Sequence, residues 1–449
     1  MRTAIGDDYF NGSSSLSRVQ RHLEVAHRAG VRYLRCAFSW DSIEPHPGIY
    51  DWRFWDALVQ AAQHNGIQLL PYVAYTPKWA ASSSAADYWK QPPRDPQLYA
   101  DFMYKIAQRY RGRIRSWEIW NEPDNKDYWT GSASEFASMA MAAAKRIREA
   151  DPHAVLILGG MAYGPGPFFR SLMARDHIDE YVDVIAMHGY PETWDNQSAE
   201  TVFQQWIPGM SELIAGDHSG DALWVNEMGY ADYRFAPNQA SMYGVSIFYK
   251  YEHTREYQAT MLFKFDAMAL ASQKVSLAGW YRIDDFPNSE KRSGPDLVNN
   301  HLGLIDDRGK PKPDLLALAF FNRLLGGPER VIHARSSAPP QSQSVVEVFE
   351  KPLARRAATD GNHAEVIVVG WLRSSRENEI SQRTGVLHDA RAENIAVTLP
   401  CSMAKHLSTF SVEGSPVRSP ARISGTSLVN IPLRGDRVFI ATATCSIAP

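Results

Sequence analysis

Over the first three quarters of the chain the apolar positions switch between two rhythms. Leu16, Val19, Leu23 and Ala26 make one apolar stripe at helical spacing over residues 15–30, and Gly30 closes that helix. Runs that are apolar almost throughout follow at 31–40, 67–75, 154–160, 184–190, 222–227 and 275–282. A continuous run, rather than strict alternation, marks a strand covered on both faces by helices. Helical patterns separate these runs at 53–66, 95–110, 134–150, 168–181, 200–214 and 239–271, and a last helix is expected at 314–325. Thr3-Ala4-Ile5-Gly6 is a poor strand, yet a barrel needs its first strand there. The alternation predicts a (β/α)8 TIM barrel, of class α/β. After Gly326-Gly327-Pro328 the rhythm changes. Strands at 345–349, 365–371, 395–399 and 437–440 follow one another with polar turns and no helices, which predicts a small C-terminal β-sandwich. The expected division is a barrel over 1–327 and a sandwich over 328–449, with 354–362 as an exposed hairpin tip.

Composition narrows the picture by exclusion. The 449 residues are 44% hydrophobic and 22% charged, with a net charge of −3. That balance gives no electrostatic reason to expect nucleic acid or a membrane surface as a partner. Three cysteines do not make a disulfide framework, although Cys401 and Cys445 are able to pair. No Cys/His spacing suggests zinc, and no metal is expected. No run reaches the length of a membrane span. The first eight residues lack the apolar segment of a signal peptide, so the chain as written reads as cytoplasmic, or as periplasmic or secreted if a leader has been removed. Oligomeric state is not legible.

Candidate chemistry concentrates at two strand ends. Ser116-Trp117-Glu118-Ile119-Trp120-Asn121-Glu122-Pro123-Asp124 reads as a buried strand that Pro123 stops. Alternation sends Trp117, Ile119 and Asn121 one way, Glu118 and Trp120 the other. Glu122 is left at the C-terminal lip near two tryptophans, whose low polarity raises a carboxyl pKa. A second lip, Leu223-Trp224-Val225-Asn226-Glu227-Met228-Gly229, follows in the same strand–helix register. Two glutamates at the C-terminal ends of separate barrel strands suggest a glycosidase's carboxylate pair; the bland alternative is two strand caps in ordinary salt bridges. Arg35 lies inside a strand and must be paired, either structurally or beside a catalytic carboxylate. His188 and Tyr190 share one face of another strand end. Trp79 is a sugar platform or a loop-packing residue, and Trp280 is a candidate floor under a sugar. Trp40, Trp79, Trp89, Trp129, Trp194 and Trp280 all fall at or just beyond strand ends.

Trp-Asn-Glu-Pro closing one strand and Asn-Glu closing a later one resemble the clan A glycoside hydrolases, and within them family 39 most, over roughly residues 10–325. The resemblance implies a retaining enzyme with Glu122 as acid/base and Glu227 as nucleophile. It implies that Asn121 binds the sugar 2-hydroxyl, and that Arg35 sits beside the nucleophile. His188 and Tyr190 would orient that nucleophile and touch the sugar, with Trp40, Trp79 and Trp280 as substrate contacts. No cofactor enters such a scheme. The expected partner is an oligosaccharide or polysaccharide cleaved at β-glycosidic bonds. The six tryptophans favour an open, endo-acting cleft, and the alternative within the family is an exo-acting β-xylosidase. Two other classes compete: a non-catalytic carbohydrate-binding barrel, which would lack one glutamate, and a metal-dependent barrel hydrolase, which needs more histidines at strand ends.

Overall fold

The computed structural model describes residues 1–9, 14–83, 85–190, 200–216, 222–233, 253–286, 294–327, 330–332, 336–339, 341–353, 363–373, 389 and 391–446. Trp194, the first part of the expected 239–271 helix and the 354–362 tip lie outside them. The described chain forms two compact units. One runs from Met1 to Tyr190, Val202 to Gly229 and Lys274 to Ile283, and the other takes the remainder.

The first unit is a closed barrel of eight parallel strands: β1 (Arg2–Gly6), β2 (Tyr33–Ser39), β3 (Gln68–Ala74), β4 (Ser116–Ile119), β5 (Val155–Met161), β6 (Val184–Gly189), β7 (Ala222–Met228) and β8 (Val275–Tyr281). β1 closes the ring on β8, with Gly6 beside Tyr281 on one side and Arg35 on the other. Three of the helices between strands start where the sequence supplies a side-chain cap. Ser15 accepts from the Arg18 N–H, Asp95 from the Gln97 N–H, and Ser132 with Glu135 forms a capping box ahead of Ala133–Ala150. An aromatic layer seals strands to helices: Phe38 meets Trp55, Tyr110 and Trp117 edge-on.

The barrel interior explains where a site can form. Ala4, Leu70, Ile157, Val184, Trp224 and Leu277 fill its N-terminal half as one apolar cluster. Two residues further along four of these strands, on the same inward face, stand Gly6, Tyr72, Asn226 and Gly279. The interior therefore turns polar towards the strand C-termini, the end where barrel enzymes carry their chemistry.

In the second unit a five-stranded antiparallel sheet has the order β13 (Met403–Phe410), β16 (Phe439–Ser446), β11 (His363–Leu372), β10 (Ser344–Pro352), β9 (Arg330–Ile332). A three-stranded sheet has the order β12 (Ala392–Thr398), β15 (Ser427–Arg434), β14 (Arg422–Ser424). Val348, Val366, Val368, Ile395, Val397, Ile431 and Leu433 make their shared core. This is the sandwich expected from the pattern, with β9, β13, β14 and β15 added to the strands read from the sequence. Cys401 and Cys445 are joined as a disulfide, Cα atoms 5.3 Å apart. The helices Arg255–Ser272 and Pro313–Leu325, which the pattern assigns to the barrel, belong to this compact unit, where Phe263 packs on Phe320 and Phe321. The first of them is buried almost without a break from Tyr257 to Leu270, so its sequence shows no single stripe to say which layer it serves.

Candidate active site

Arg35 organises the C-terminal end of the barrel. Its Nε and Nη2 donate to the two oxygens of Glu118, each at 2.8 Å, in the two-pronged geometry that a planar guanidinium favours. Nη1 donates to Glu227 Oε2 at 2.6 Å, and Nη2 also reaches Asn121 Oδ1 at 2.7 Å. The Tyr72 ring lies against the guanidinium, 4.5 Å from its centre. The two readings of Arg35 are thus combined in one side chain: a buried ion pair on one edge and a contact to Glu227 on the other.

Glu227 receives a second donor, the Tyr190 hydroxyl, at 2.9 Å. Across from it, Glu122 Oε1 lies 2.7 Å from His188 Nδ1, and Glu122 Oε2 accepts from Asn125 Nδ2 at 2.9 Å. The other imidazole nitrogen of His188 is 3.8 Å from Glu227 Oε2. One oxygen of each glutamate and a ring nitrogen of His188 all lie within 4.8 Å of one another. The His188 ring is buried against Gly160, where a Cβ would stand 2.2 Å from Nε2, so only glycine leaves room for the imidazole. Glu122 and Glu227 keep 12% and 15% of their side chains exposed, whereas Arg35 and His188 keep 2% and 1%. The carboxylates face the opening and their supports do not.

The alternation expected of the Glu122 strand fails at its end. It places Asn121 opposite Glu118, yet both bind the same guanidinium. β4 stops at Ile119, and Trp120 and Glu122 take left-handed backbone angles, φ +72° and +45°, which end the pleat and turn Asn121 inward. The turn is held by Asp124, whose carboxylate accepts from the backbone N–H groups of Ala162 and Tyr163 just past β5. Burial pushes Asp124 up to about 6 despite those two donors. The tryptophan walls are also corrected. Trp117 packs in the outer layer with Phe38 and Tyr110, and Trp120 packs with Tyr75, Tyr99 and Trp129, so the polar neighbours of Glu122 are His188 and Asn125.

The charges of the site are set by competition. Burial alone would depress Arg35, but the Glu118 and Glu227 carboxylates outweigh it and hold the guanidinium charged. Burial raises the Glu227 carboxyl, Glu122 adds to the rise, and His188 and Arg35 oppose it; the net direction is upward. The expectation that Arg35 keeps Glu227 ionised holds for the sign of that one interaction, while burial is the larger effect. For His188 burial works downward, yet Glu227 and Glu122 win and its pKa is raised.

Several tryptophans do not stand where a sugar would need them. Trp40 is fully buried, stacked on Phe102 with its Nε1 on Glu44, so it is a packing residue. Trp129 is likewise buried, and Trp280 is 3% exposed. Trp79 is half-buried with its Nε1 donated to the Glu44 carbonyl. Tyr75, Trp89 and Tyr128 are half-buried and contact one another, and Tyr75 Oη lies 3.3 Å from Asn121 Nδ2. With Trp40, Trp129 and Trp280 buried, three of the six tryptophans no longer support a long tryptophan-lined cleft.

Residues the motif reading passed over complete the site. Glu118 carries the Arg35 pair. Asp8, just past β1, accepts from Tyr72 Oη at 2.7 Å and Tyr281 Oη at 2.5 Å. The available signal was parity: Asp8 is two residues beyond inward-facing Gly6. Glu122, His188 and Glu227 are close enough to hold a cation, but the Arg35 guanidinium already occupies Glu227 and opposes a second positive charge there.

A closed parallel barrel with two carboxylates close together at its C-terminal end is the arrangement that the resemblance to clan A glycoside hydrolases implies. The family model described as glycosyl hydrolases family 39 matches residues 16–219. Over that stretch, a little under half of its length, the chain is similar to that family. Among curated relatives it is 32% identical over 133 residues to endo-1,4-beta-xylanase 3 of Hypocrea jecorina, covering 27% of this chain and 36% of that protein. It is 20% identical over 288 residues to a beta-xylosidase of Caldicellulosiruptor saccharolyticus, covering 60% of this chain and 56% of the relative. The chain thus spans only about a third to just over half of these relatives' lengths. A solved family 39 glycoside hydrolase from Bacteroides cellulosilyticus WH2 shares the fold with a TM-score of 0.69 at 14% identity, covering 99% of this chain and 80% of that one. No helix among the described residues is long and apolar enough to cross a membrane.

Proposed function

We propose that this protein is a retaining glycoside hydrolase acting on β-linked xylan-type oligosaccharides or polysaccharides. The observation that carries the proposal is that one carboxyl oxygen of Glu122 and one of Glu227 lie within 4.8 Å of each other. Retaining enzymes hold their carboxyl groups about 5–5.5 Å apart, whereas inverting enzymes leave about 6.5–9.5 Å for a water. Glu227 attacks the anomeric carbon while Glu122 gives its proton to the departing glycosidic oxygen. Glu122 then takes a proton from water, which attacks the same carbon and releases Glu227. Arg35 and Tyr190 orient Glu227, and Asn121, fixed by Arg35, meets the sugar 2-hydroxyl. The named xylanase and β-xylosidase relatives support the xylan-type substrate.

A binding barrel without catalysis is disfavoured because both carboxylates are present and face each other. The test is turnover of aryl β-xyloside and defined xylo-oligosaccharides, with and without chelator, followed by product sizing. Turnover unaffected by chelator supports the proposal. Binding without turnover, or turnover abolished by chelator, contradicts it. Short oligosaccharide products mark endo action, and xylose alone marks exo action.

A further inference from the structure

The proposed mechanism leaves one buried carboxylate unused. Glu118 lies on β4, four positions before Glu122, and is wholly buried. Burying an ionised carboxylate is unfavourable unless its oxygens are fully satisfied. Glu118 accepts two bonds from Arg35, one from Asn226 Nδ2 at 3.0 Å and one from the Gly160 N–H at 3.0 Å. Its donors come from β2, β7 and β5. Each adjoins the site: Arg35 extends its remaining nitrogen to Glu227, Asn226 precedes Glu227 in the chain, and Gly160 backs the His188 ring.

We propose that Glu118 is a positioning residue that also acts electrostatically. It fixes the plane of the Arg35 guanidinium so that Nη1 aims at Glu227, and it cancels much of the arginine's charge so that Glu227 remains nucleophilic. A guanidinium at 2.6 Å with no other counter-charge strongly stabilises a carboxylate. A carboxylate held that firmly is a weak nucleophile. With Glu118 on its opposite edge, Arg35 divides its charge between two anions. The charged and titratable groups that bear on Glu227 directly are Asp8 from the end of β1, Arg35 from β2, Glu122 beyond β4, His188 and Tyr190 at β6, and Tyr281 from β8; Glu118 pairs with Arg35, and Tyr72 and Tyr75 face Asp8 and Arg35. Arg35 is the permanent cation among them, so the carboxylate that offsets it sets the balance. The nucleophilic role of Glu227 rests on the glycosidase reading; the electrostatic effect of Glu118 does not.

The experiment is a direct titration of Glu227 in the full chain by NMR of ¹³C-carboxyl-labelled glutamate, its signal assigned by its absence in Glu227→Gln. Glu118→Gln keeps the shape and removes the charge, and the Glu227 transition should fall by about one pH unit. Glu118→Asp keeps the charge and shortens the reach. Its Glu227 transition should stay at the wild-type position, while kcat on an aryl β-glycoside falls about tenfold through misaim. An unmoved Glu227 transition in Glu118→Gln, or the same shift in both variants, overturns the proposal. If Glu118→Gln does not fold, the double variant Glu118→Gln/Arg35→Met removes both buried charges and should raise the Glu227 transition above wild type; an unchanged transition overturns the proposal equally. A wild-type protein inactive on every glycoside offered would instead contradict the glycosidase reading, and the titration would still decide the role of Glu118.

Discussion

In the barrel unit Arg35 lies between Glu118 and Glu227; in the second unit Lys312 lies between Asp232 and Asp285, 3.2 Å from each. Both cations are buried, and both are bracketed by two carboxylates. Lys312 is sealed completely, with Asp232 and Asp285 only 5% and 7% exposed. An ammonium is a compact point charge and draws its partners inward around it. The guanidinium is a flat fork. It pins Glu118 on one edge and leaves Glu227 on the other, turned towards Glu122 and the opening. A buried cation between carboxylates is therefore not the mark of a site. The mark is that one of the carboxylates is held but still exposed, with a second acid across from it. In the second unit Asp232, Asp285 and His301 come within 4.8 Å of one another and would pass for a metal site, but the lysine is already the cation.

The comparison breaks first on activity. Glu122→Gln and Glu227→Gln should each lower kcat by about 10³-fold or more while the thermal midpoint survives. Azide should restore turnover to Glu227→Ala with inverted product and to Glu122→Ala with retained product. Near-wild-type turnover in either glutamine variant refutes the assignment, and the opposite azide pattern swaps the roles. Lys312→Met should do the reverse. Leaving Asp232 and Asp285 without their cation should cost about 3–5 kcal/mol of stability in urea denaturation, with kcat of the folded fraction unchanged. A large fall in kcat at unchanged stability would erase the distinction between the two clusters.

A smaller effect sharpens it through pH. His188 binds its proton more tightly in the fold than a free imidazole with pKa 6.5 does, because the two glutamates outweigh burial. Its favourable contribution is fully present below that unfolded value and is lost as pH rises through the higher folded value. The gap in thermal midpoint between wild type and His188→Gln should therefore be widest near about pH 5.5 and narrow towards about pH 9. A gap that widens with pH would mean that His188 is held neutral.

The barrel was legible because buried parallel strands and amphipathic helices leave different rhythms, as at 154–160 against 15–30. Glu122 and Glu227 were legible because strand-end motifs name them, and Arg35 because a lone charge in an apolar run demands a partner. Glu118 was hidden by the alternation argument. It set Asn121 on the opposite face, and a left-handed turn at Trp120 cannot be read from the residues Trp-Asn-Glu-Pro. Trp40 misled for a related reason. Position at a strand end says nothing about exposure, and this ring turns into the aromatic layer with Tyr99 and Phe102. Asp8 and the tyrosines that hold it lie on three strands far apart in sequence, so only closure of the barrel brings them together.

The account stands most directly on Glu227 forming a covalent bond to the sugar while Glu122 serves as the acid. A 2-deoxy-2-fluoro-β-xyloside with a good leaving group slows release of the glycosyl-enzyme and allows the adduct to be located by peptide mass mapping. The predicted result is a single fluoroxylosyl addition on the peptide carrying Glu227, with time-dependent loss of activity. An adduct on the peptide carrying Glu122, or release of inverted product from the unmodified substrate with no adduct at all, would contradict it.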